Sequence, residues 1–296
     1  MATDAAVLGA GNGALNTRAP VGLLACGGRF PVVFAEKARE HGIPVVCVAA
    51  AGMADPALRS LCTEFVWLRR TSLGTIMRAF RRGGVRQWTM AGKFEKRILF
   101  RPWRLVHFVP DWRMVRFWFF RKRNANNDDS ILLGIINEFR AEGMECVSAL
   151  DLCPELLVSE GVLTRRRPTK SETQDIALGW HLAREMGRLD VGQSVMVRER
   201  AVLAVEAIEG TDLAILRAGE LCRKGGFVVV KVAKPEQDRR FDVPTVGTQT
   251  IETMRKAGAT ALAIEAGRTI VIDQAATVAL AEKYGITITS LVSPPA

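Results

Sequence analysis

Val21-Gly22-Leu23-Leu24-Ala25-Cys26 is an apolar run of strand length, and Gly27-Gly28-Arg29-Phe30-Pro31 follows it directly. A helix-like stretch over 32–41 comes next, then a β-branched run over 43–50. The same rhythm continues. Asp55-Pro56 opens a helix, with proline at its first position; 64–68 reads as a strand. In 72–82, Leu73, Ile76, Met77 and Phe80 recur at helical spacing, and 85–91 is a fourth strand. Strands alternating with helices in this way predict a parallel sheet covered by helices.

Residues 95–123 break the rhythm. They hold nine Lys and Arg against two acids (Glu95 and Asp111), so they carry seven of the chain's ten net positive charges. They also hold eight of its twenty aromatic residues, Trp103, Trp112 and Trp118 among them. Rings interleaved with arginine suit a bilayer interface, where Arg meets lipid phosphate. They also suit single-stranded nucleic acid, or two core-packing helices with a solvated basic face. Lipid contact is the favoured reading, because the rest of the chain has no further basic stripe to track a long polyanion. A helix over 131–143 follows.

The second half begins near residue 158. Ser171 with Gln174 three positions on reads as a capping box that opens a helix over 171–187. Residues 195–207 read as a strand pair turning near Glu199. A helix over 211–222 leads to a strand over 227–233 that holds four valines. After a helix over 248–257, a second strand pair is expected over 261–266 and 269–273, turning at Gly267-Arg268. A helix over 275–284 and a strand over 286–292 close the chain.

Composition narrows the class. The chain has 296 residues, 48% hydrophobic and 24% charged, which is ordinary globular composition and sets aside a disordered or collagen-like chain. At about 150 residues per domain this length predicts two domains. The net charge of +10 favours an anionic partner. The six cysteines include no Cys-x-x-Cys pair and there are three histidines, which speaks against a zinc finger and for free thiols in the cytosol. The longest uncharged apolar stretch, 42–54, is shorter than the roughly 18–20 residues that a spanning helix needs. Residues 1–20 carry Asp4, lack a basic start and read as a flexible tail rather than a signal peptide.

Several residues carry candidate chemistry. Gly27 and Gly28 lie where backbone N–H groups can approach a phosphate, beside the partial positive charge of a helix start. The full Gly-x-Gly-x-x-Gly fingerprint is absent, and Ala49-Ala50-Ala51 ends the second strand with no acid for an adenosine ribose, which counts against NAD. Asp128 and Asp129 follow the basic segment. Glu206 stands just before Glu209-Gly210-Thr211-Asp212, where a helix starts; Lys231, Lys234, Asp238 and Asp242 surround a strand end. Acids bind Mg²⁺ through oxygen and lysines neutralise phosphate, a combination that suits phosphoryl chemistry. Each also has a plain structural use: Asp128 or Thr211 as an N-cap, Asp242 as a turn acid.

The run from Gly22 to Pro31 resembles the opening of LpxI-type UDP-2,3-diacylglucosamine pyrophosphatases. So do Asn127-Asp128-Asp129, Gly187-Arg188-Leu189-Asp190-Val191-Gly192-Gln193 and the stretch from Val202 to Asp212. The most specific stretches run from Val232 to Gly247 and from Ile264 to Thr269, and the similarity spans about 21–292. It implies an α/β protein with a Rossmann-like, parallel-sheet N-terminal domain over 21–157 and a family-specific C-terminal catalytic α/β domain over 158–292. It also implies a Mg²⁺-dependent hydrolase of lipid A biosynthesis, yielding UMP and lipid X (2,3-diacylglucosamine 1-phosphate).

On that resemblance, Asp242 matches the family's essential acid and orients water or holds Mg²⁺. Asp128, Asp129 and Asp212 become Mg²⁺ candidates. Lys231, Lys234 and the Gly210-Thr211 helix start face phosphate, while Gly27 and Gly28 hold nucleotide or phosphate. The expected catalytic set is Asp242, Thr211 and Lys234. The expected setting is the cytoplasm, in peripheral contact with inner-membrane lipid through 95–123, without nucleic acid, with a homodimer left open. Cys26 stands where relatives often have Gly or Ala, and 95–123 is unusually basic and aromatic for the family. A nucleotide- or lipid-binding protein without catalysis is the alternative.

Overall fold

The computed structural model describes residues 15–69, 72–93, 128–235, 238, 240–241 and 243–295, with the backbone alone at 128–131. The expected tail 1–20 therefore falls mostly outside the described residues, as do the basic-aromatic segment and Asp242. The described chain divides into two compact units, one running to Cys153 and the other starting at Pro154.

The first unit contains β1 (Val21–Ala25), α1 (Phe30–Glu40), β2 (Val45–Ala50), α2 (Leu58–Leu61), β3 (Glu64–Leu68), α3 (Leu73–Arg82), β4 (Gln87–Ala91), α4 (Asp128–Ala141) and β5 (Glu145–Cys146). The strands form one sheet in the order β3-β2-β1-β4-β5, every pair parallel. This is the expected Rossmann-like α/β architecture. Every residue of β2 is buried, as befits a strand covered on both faces. Ser72 caps α3 by accepting the Thr75 N–H at 3.0 Å, and Leu73, Ile76, Met77 and Phe80 all point inward. The fully buried Trp88 packs on Phe139 at 4.4 Å between ring centroids, with Phe80 6.2 Å away.

Asp55-Pro56 opens a turn, and the helix expected from Pro56 starts only at Leu58. Asp55 accepts the Ala57 N–H at 2.8 Å, and the α2 that follows is a single turn.

The second unit contains β6 (Gly161–Val162), α5 (Lys170–Arg188), β7 (Ser194–Arg198), β8 (Ala201–Val205), α6 (Thr211–Leu221), β9 (Phe227–Lys231), β10 (Thr245–Val246), α7 (Thr248–Ala257), β11 (Ala259–Glu265), β12 (Ile270–Val271), α8 (Gln274–Lys283) and β13 (Thr287–Leu291). Six strands form a mixed sheet in the order β6-β13-β11-β9-β7-β8. Its parallel centre is β13-β11-β9; β7 and β8 continue it antiparallel. The valine strand β9 is buried throughout. Gly179 lets α5 approach it closely: a Cβ there would lie 2.6 Å from Val230 Cγ2.

Two local expectations change, and a third holds for a reason that lies outside the local sequence. The capping box of α5 is Thr169 with Glu172, two residues earlier than Ser171 with Gln174. Thr169 Oγ1 accepts the Glu172 N–H at 3.2 Å, and Glu172 accepts the Thr169 N–H at 2.8 Å. Arg166 and Thr260 also bind that carboxylate, so tertiary partners select the register. Second, β11 and β12 do not pair with each other. β12 pairs with β10 in a separate two-stranded parallel ladder, while β11 lies between β9 and β13. Third, the β7–β8 turn comes where expected, but its stability comes from afar. Glu199 and Arg200 both have positive φ, and the buried Asp175 of α5 accepts both of their N–H groups at 2.9 and 2.6 Å.

Candidate active site

The carboxyl ends of parallel strands are where α/β sheets present ligand sites. In the first unit the sheet order reverses between β1 and β4, and that switch point is framed by the turns after these two strands. Gly27 exchanges both backbone bonds with Lys93, N–H to carbonyl at 3.1 Å and carbonyl to N–H at 2.7 Å. Its N–H is therefore engaged by the protein. Gly28 has φ +90° and faces open space. Gly92 closes the turn from the other side at φ +96°, and a Cβ there would lie 2.5 Å from the Gly27 carbonyl oxygen. The start of α1 bears no side-chain cap and no acid in its first turn. Of the two expected glycines, Gly28 is thus the one placed beside an uncapped helix start.

In the second unit the ends of neighbouring strands bring together some of the expected residues. β7 runs antiparallel to β9, so its first residue, Ser194, is in register with the last, Lys231. β8 returns to the same end, where the Glu206 N–H donates to the Ser194 carbonyl at 2.8 Å. Gly192 makes this crossing possible, since a Cβ there would sit 2.1 Å from the Glu206 carbonyl oxygen. Gly210 then turns the chain at φ +83° and α6 begins with Thr211. Thr211 is accordingly the first helical residue rather than the N-cap.

The side chains at these strand ends form one network. Lys231, 7% exposed, donates from Nζ to Thr211 Oγ1 at 3.1 Å and to the Thr245 carbonyl at 3.0 Å. Thr211 Oγ1 is 3.0 Å from Glu206 Oε1 and 3.4 Å from Ser194 Oγ. A hydroxyl has one proton. The carboxylate can only accept, so Thr211 donates to Glu206 and Ser194 donates to Thr211. Two expected residues, Thr211 and Lys231, are thereby brought into contact, and the Gly210 turn is beside them.

Lys234 lies further along the chain and has its own partner, Asp190 Oδ1, at 2.5 Å. Any phosphate it neutralises competes with that carboxylate. The segment carrying Lys234 is clamped by Glu265, 3% exposed, which accepts the Ala233 N–H at 2.8 Å and Arg184 at 2.8 Å. Arg268 donates to the Lys234 carbonyl at 3.0 Å. Asp238 is bound by Arg240. Burial works to raise its carboxyl, but the Arg240 guanidinium and backbone N–H outweigh this and hold it below the ordinary range. Glu209 behaves alike, held low against burial by its own backbone amide and by Arg217 at 2.5 Å.

Asp212 lies in the first turn of α6, where a carboxylate is favoured by the helix dipole. Asp128 and Asp129 open α4 in the other unit, with side chains outside the described ones. Among the described residues no three His, Cys, Asp or Glu converge as a metal cage. Mg²⁺ does not require one: it commonly takes one or two carboxylates and completes its shell with phosphate oxygens and water. Sequence reasoning passed over Ser194, Glu206 as a partner of Thr211, and Glu265. The available signals were the five-residue spacing from Glu206 to Thr211 and the acid that ends the apolar run of β11.

The LpxI N-terminal domain model matches residues 20–156 and the LpxI C-terminal domain model matches residues 159–289. The chain belongs to the LpxI family. A Caulobacter vibrioides protein named UDP-2,3-diacylglucosamine pyrophosphatase LpxI is 32% identical over 274 residues, which span 90% of this chain and 95% of the relative. The resemblance carried by the glycine turn and the 232–247 stretch therefore extends along nearly the whole LpxI length. The Ser194–Thr211–Lys231 network lies within the part matched by the LpxI C-terminal domain.

Proposed function

We propose that this chain hydrolyses the pyrophosphate bond of UDP-2,3-diacylglucosamine, releasing UMP and lipid X, in lipid A biosynthesis. The observation that carries this reading is the 32% identity, along 90% of the chain, to the Caulobacter protein of that name. The strand ends of the second unit support it chemically. A buried lysine, two hydroxyls and an uncapped helix start lie together there, and anhydride hydrolysis depends mainly on positioning and on neutralising phosphate charge.

In this reading Lys231 and the α6 start meet a phosphate oxygen, and Thr211, whose hydroxyl proton is directed at Glu206, holds the Lys231 ammonium in place. Lys234 contributes charge once it leaves Asp190, and Gly28 receives nucleotide or phosphate. Mg²⁺, when bound, offsets diphosphate charge and makes the phosphorus more electrophilic. Asp242 and Asp212 are its proposed holders, with Asp128 and Asp129 as further candidates. Among the described residues no helix is long and apolar enough to cross a membrane. We assign segment 95–123 to peripheral contact with anionic lipid of the inner membrane, which presents the diacylated substrate.

The test is UMP release from detergent-presented UDP-2,3-diacylglucosamine, with Mg²⁺ or with EDTA. Mg²⁺-dependent release supports both the reaction and the ion. Release that is unchanged in EDTA removes the ion from the proposal. No release, with the lipid nucleotide still bound, favours the non-catalytic binding protein.

A further inference from the structure

Glu206 is not accounted for by the contacts described above. Its Oε1 accepts the Thr211 hydroxyl, but its Oε2 is buried and meets no donor among the described residues. The neighbouring acids differ: Glu265 spreads its oxygens over Ala233, Arg184 and Arg268, Glu209 holds Arg217, and Asp190 holds Lys234. A carboxylate oxygen buried without a protein donor is costly, which leaves Oε2 fitted to accept from a donor that arrives with the ligand. Glu206 is also held rigidly. Its N–H is fixed on the Ser194 carbonyl, its carbonyl lies against Gly192, and its Oε1 is tethered by Thr211. That same Thr211 hydroxyl binds the Lys231 ammonium, the group that meets a phosphate in the proposed reaction. The arrangement therefore links a carboxylate with one unpartnered oxygen to a fixed positive charge, through one bridging hydroxyl.

We propose that Glu206 is a catalytic base and that its Oε2 accepts a hydrogen bond from the water that attacks the diphosphate. This rests on the pyrophosphatase reading above. The water oxygen forms a bond to the sugar-side phosphorus. The bond from that phosphorus to the bridging oxygen breaks, and the bridging oxygen leaves with the electron pair as part of UMP. The water proton passes to Glu206 and then to solvent. Asp242 is left with the cation or the phosphate.

The experiment measures kcat and KM for UMP release across pH, with melting temperatures, for wild type, Glu206→Gln and Glu206→Asp. Glu206→Gln keeps the shape and the Thr211 contact but cannot take a proton. Its kcat is expected to fall about 100-fold or more, with KM little changed and the melting temperature retained. The acid limb of the kcat profile disappears in this variant. The charged groups on adjoining elements (Lys231 on β9, Asp212 on α6, the Glu209–Arg217 and Asp190–Lys234 pairs) are common to both proteins, so the lost limb reports Glu206. Glu206→Asp keeps the limb at a rate about tenfold below wild type, because the shorter arm misplaces the acceptor.

A kcat for Glu206→Gln close to wild type overturns the proposal. So does a loss confined to KM, which would make Glu206 a substrate grip. If Glu206→Gln does not fold, a folded Glu206→Asp with unchanged kcat overturns it as well. A wild type that releases no UMP defeats the pyrophosphatase reading itself, and this role with it; an active wild type matched by Glu206→Gln defeats this role alone.

Discussion

Glu265 Oε2 accepts the backbone N–H of Ala233 at 2.8 Å, so the acid that ends β11 holds the chain that leaves β9. Arg184 is on the same carboxylate, and Arg268 bridges from it to the Lys234 carbonyl. The segment leading toward Asp242 is thus anchored by a residue thirty-two positions away in sequence. Glu265→Ala leaves a buried N–H and two guanidinium groups without their acceptor. Its unfolding free energy in urea should drop by about 1–3 kcal/mol, and turnover should drop with it. Glu265→Gln keeps an acceptor for Ala233 and should fall between.

Glu172 links stability to acid pH. Burial acts to raise its carboxyl, but Arg166, the Thr169 N–H and the Thr260 hydroxyl overcome burial and hold it below its ordinary value of 4.5. A carboxyl lowered in the folded state stabilises fully above its unfolded value and loses that contribution as pH falls through the folded value. Glu172→Gln should be less stable than wild type near neutral pH by about 1–3 kcal/mol. The gap should narrow below pH 4.5. Urea unfolding at a series of pH values checks both statements; a gap that widens in acid would contradict the sign.

The cysteines should differ in reactivity. Cys47 in β2 interacts with Cys62, which together with burial raises the Cys47 thiol, while the same interaction lowers Cys62. Burial pushes Cys26 up to about 11. Because the thiolate is the reactive species, brief iodoacetamide treatment at mildly alkaline pH should label Cys62 before Cys26 or Cys47. Peptide mass spectrometry reads the order, and Cys26 reacting first would refute it. In Cys47→Ser the hydroxyl replaces the thiol donor, and the rate at Cys62 should change.

Asp242→Ala should lower UMP release about 100-fold or more, because the acid is assigned to the cation or the phosphate. The variant should still fold and bind the lipid nucleotide. Normal turnover would sink the assignment and leave the chemistry to Glu206 and the Ser194–Thr211–Lys231 network without Asp242.

Much of this protein was legible along the chain, because strand and helix patterns are local. The run from Val21 to Pro31 set a strand, a turn and a helix in order, and the alternation after it required a parallel sheet. The four valines of 227–233 marked a strand, and Lys231, Lys234, Asp238 and Asp242 marked a polar site about its end; that β9 stops at Lys231 and is buried throughout came from the structure. Nearest-neighbour pattern could not go further. The capping box fell at Thr169 rather than Ser171 because Arg166 and Thr260 bind the Glu172 carboxylate from other parts of the fold. β12 left β11 for β10 because a turn at Gly267-Arg268 permits a hairpin without requiring one. The site was decided in the same way. Ser194, Glu206, Thr211 and Lys231 meet because β7 runs antiparallel beside β9 and β8 turns back to the same end. Periodicity assigns each residue to a face, but strand order and direction decide which strand ends meet, and these are set by burial across the whole sheet.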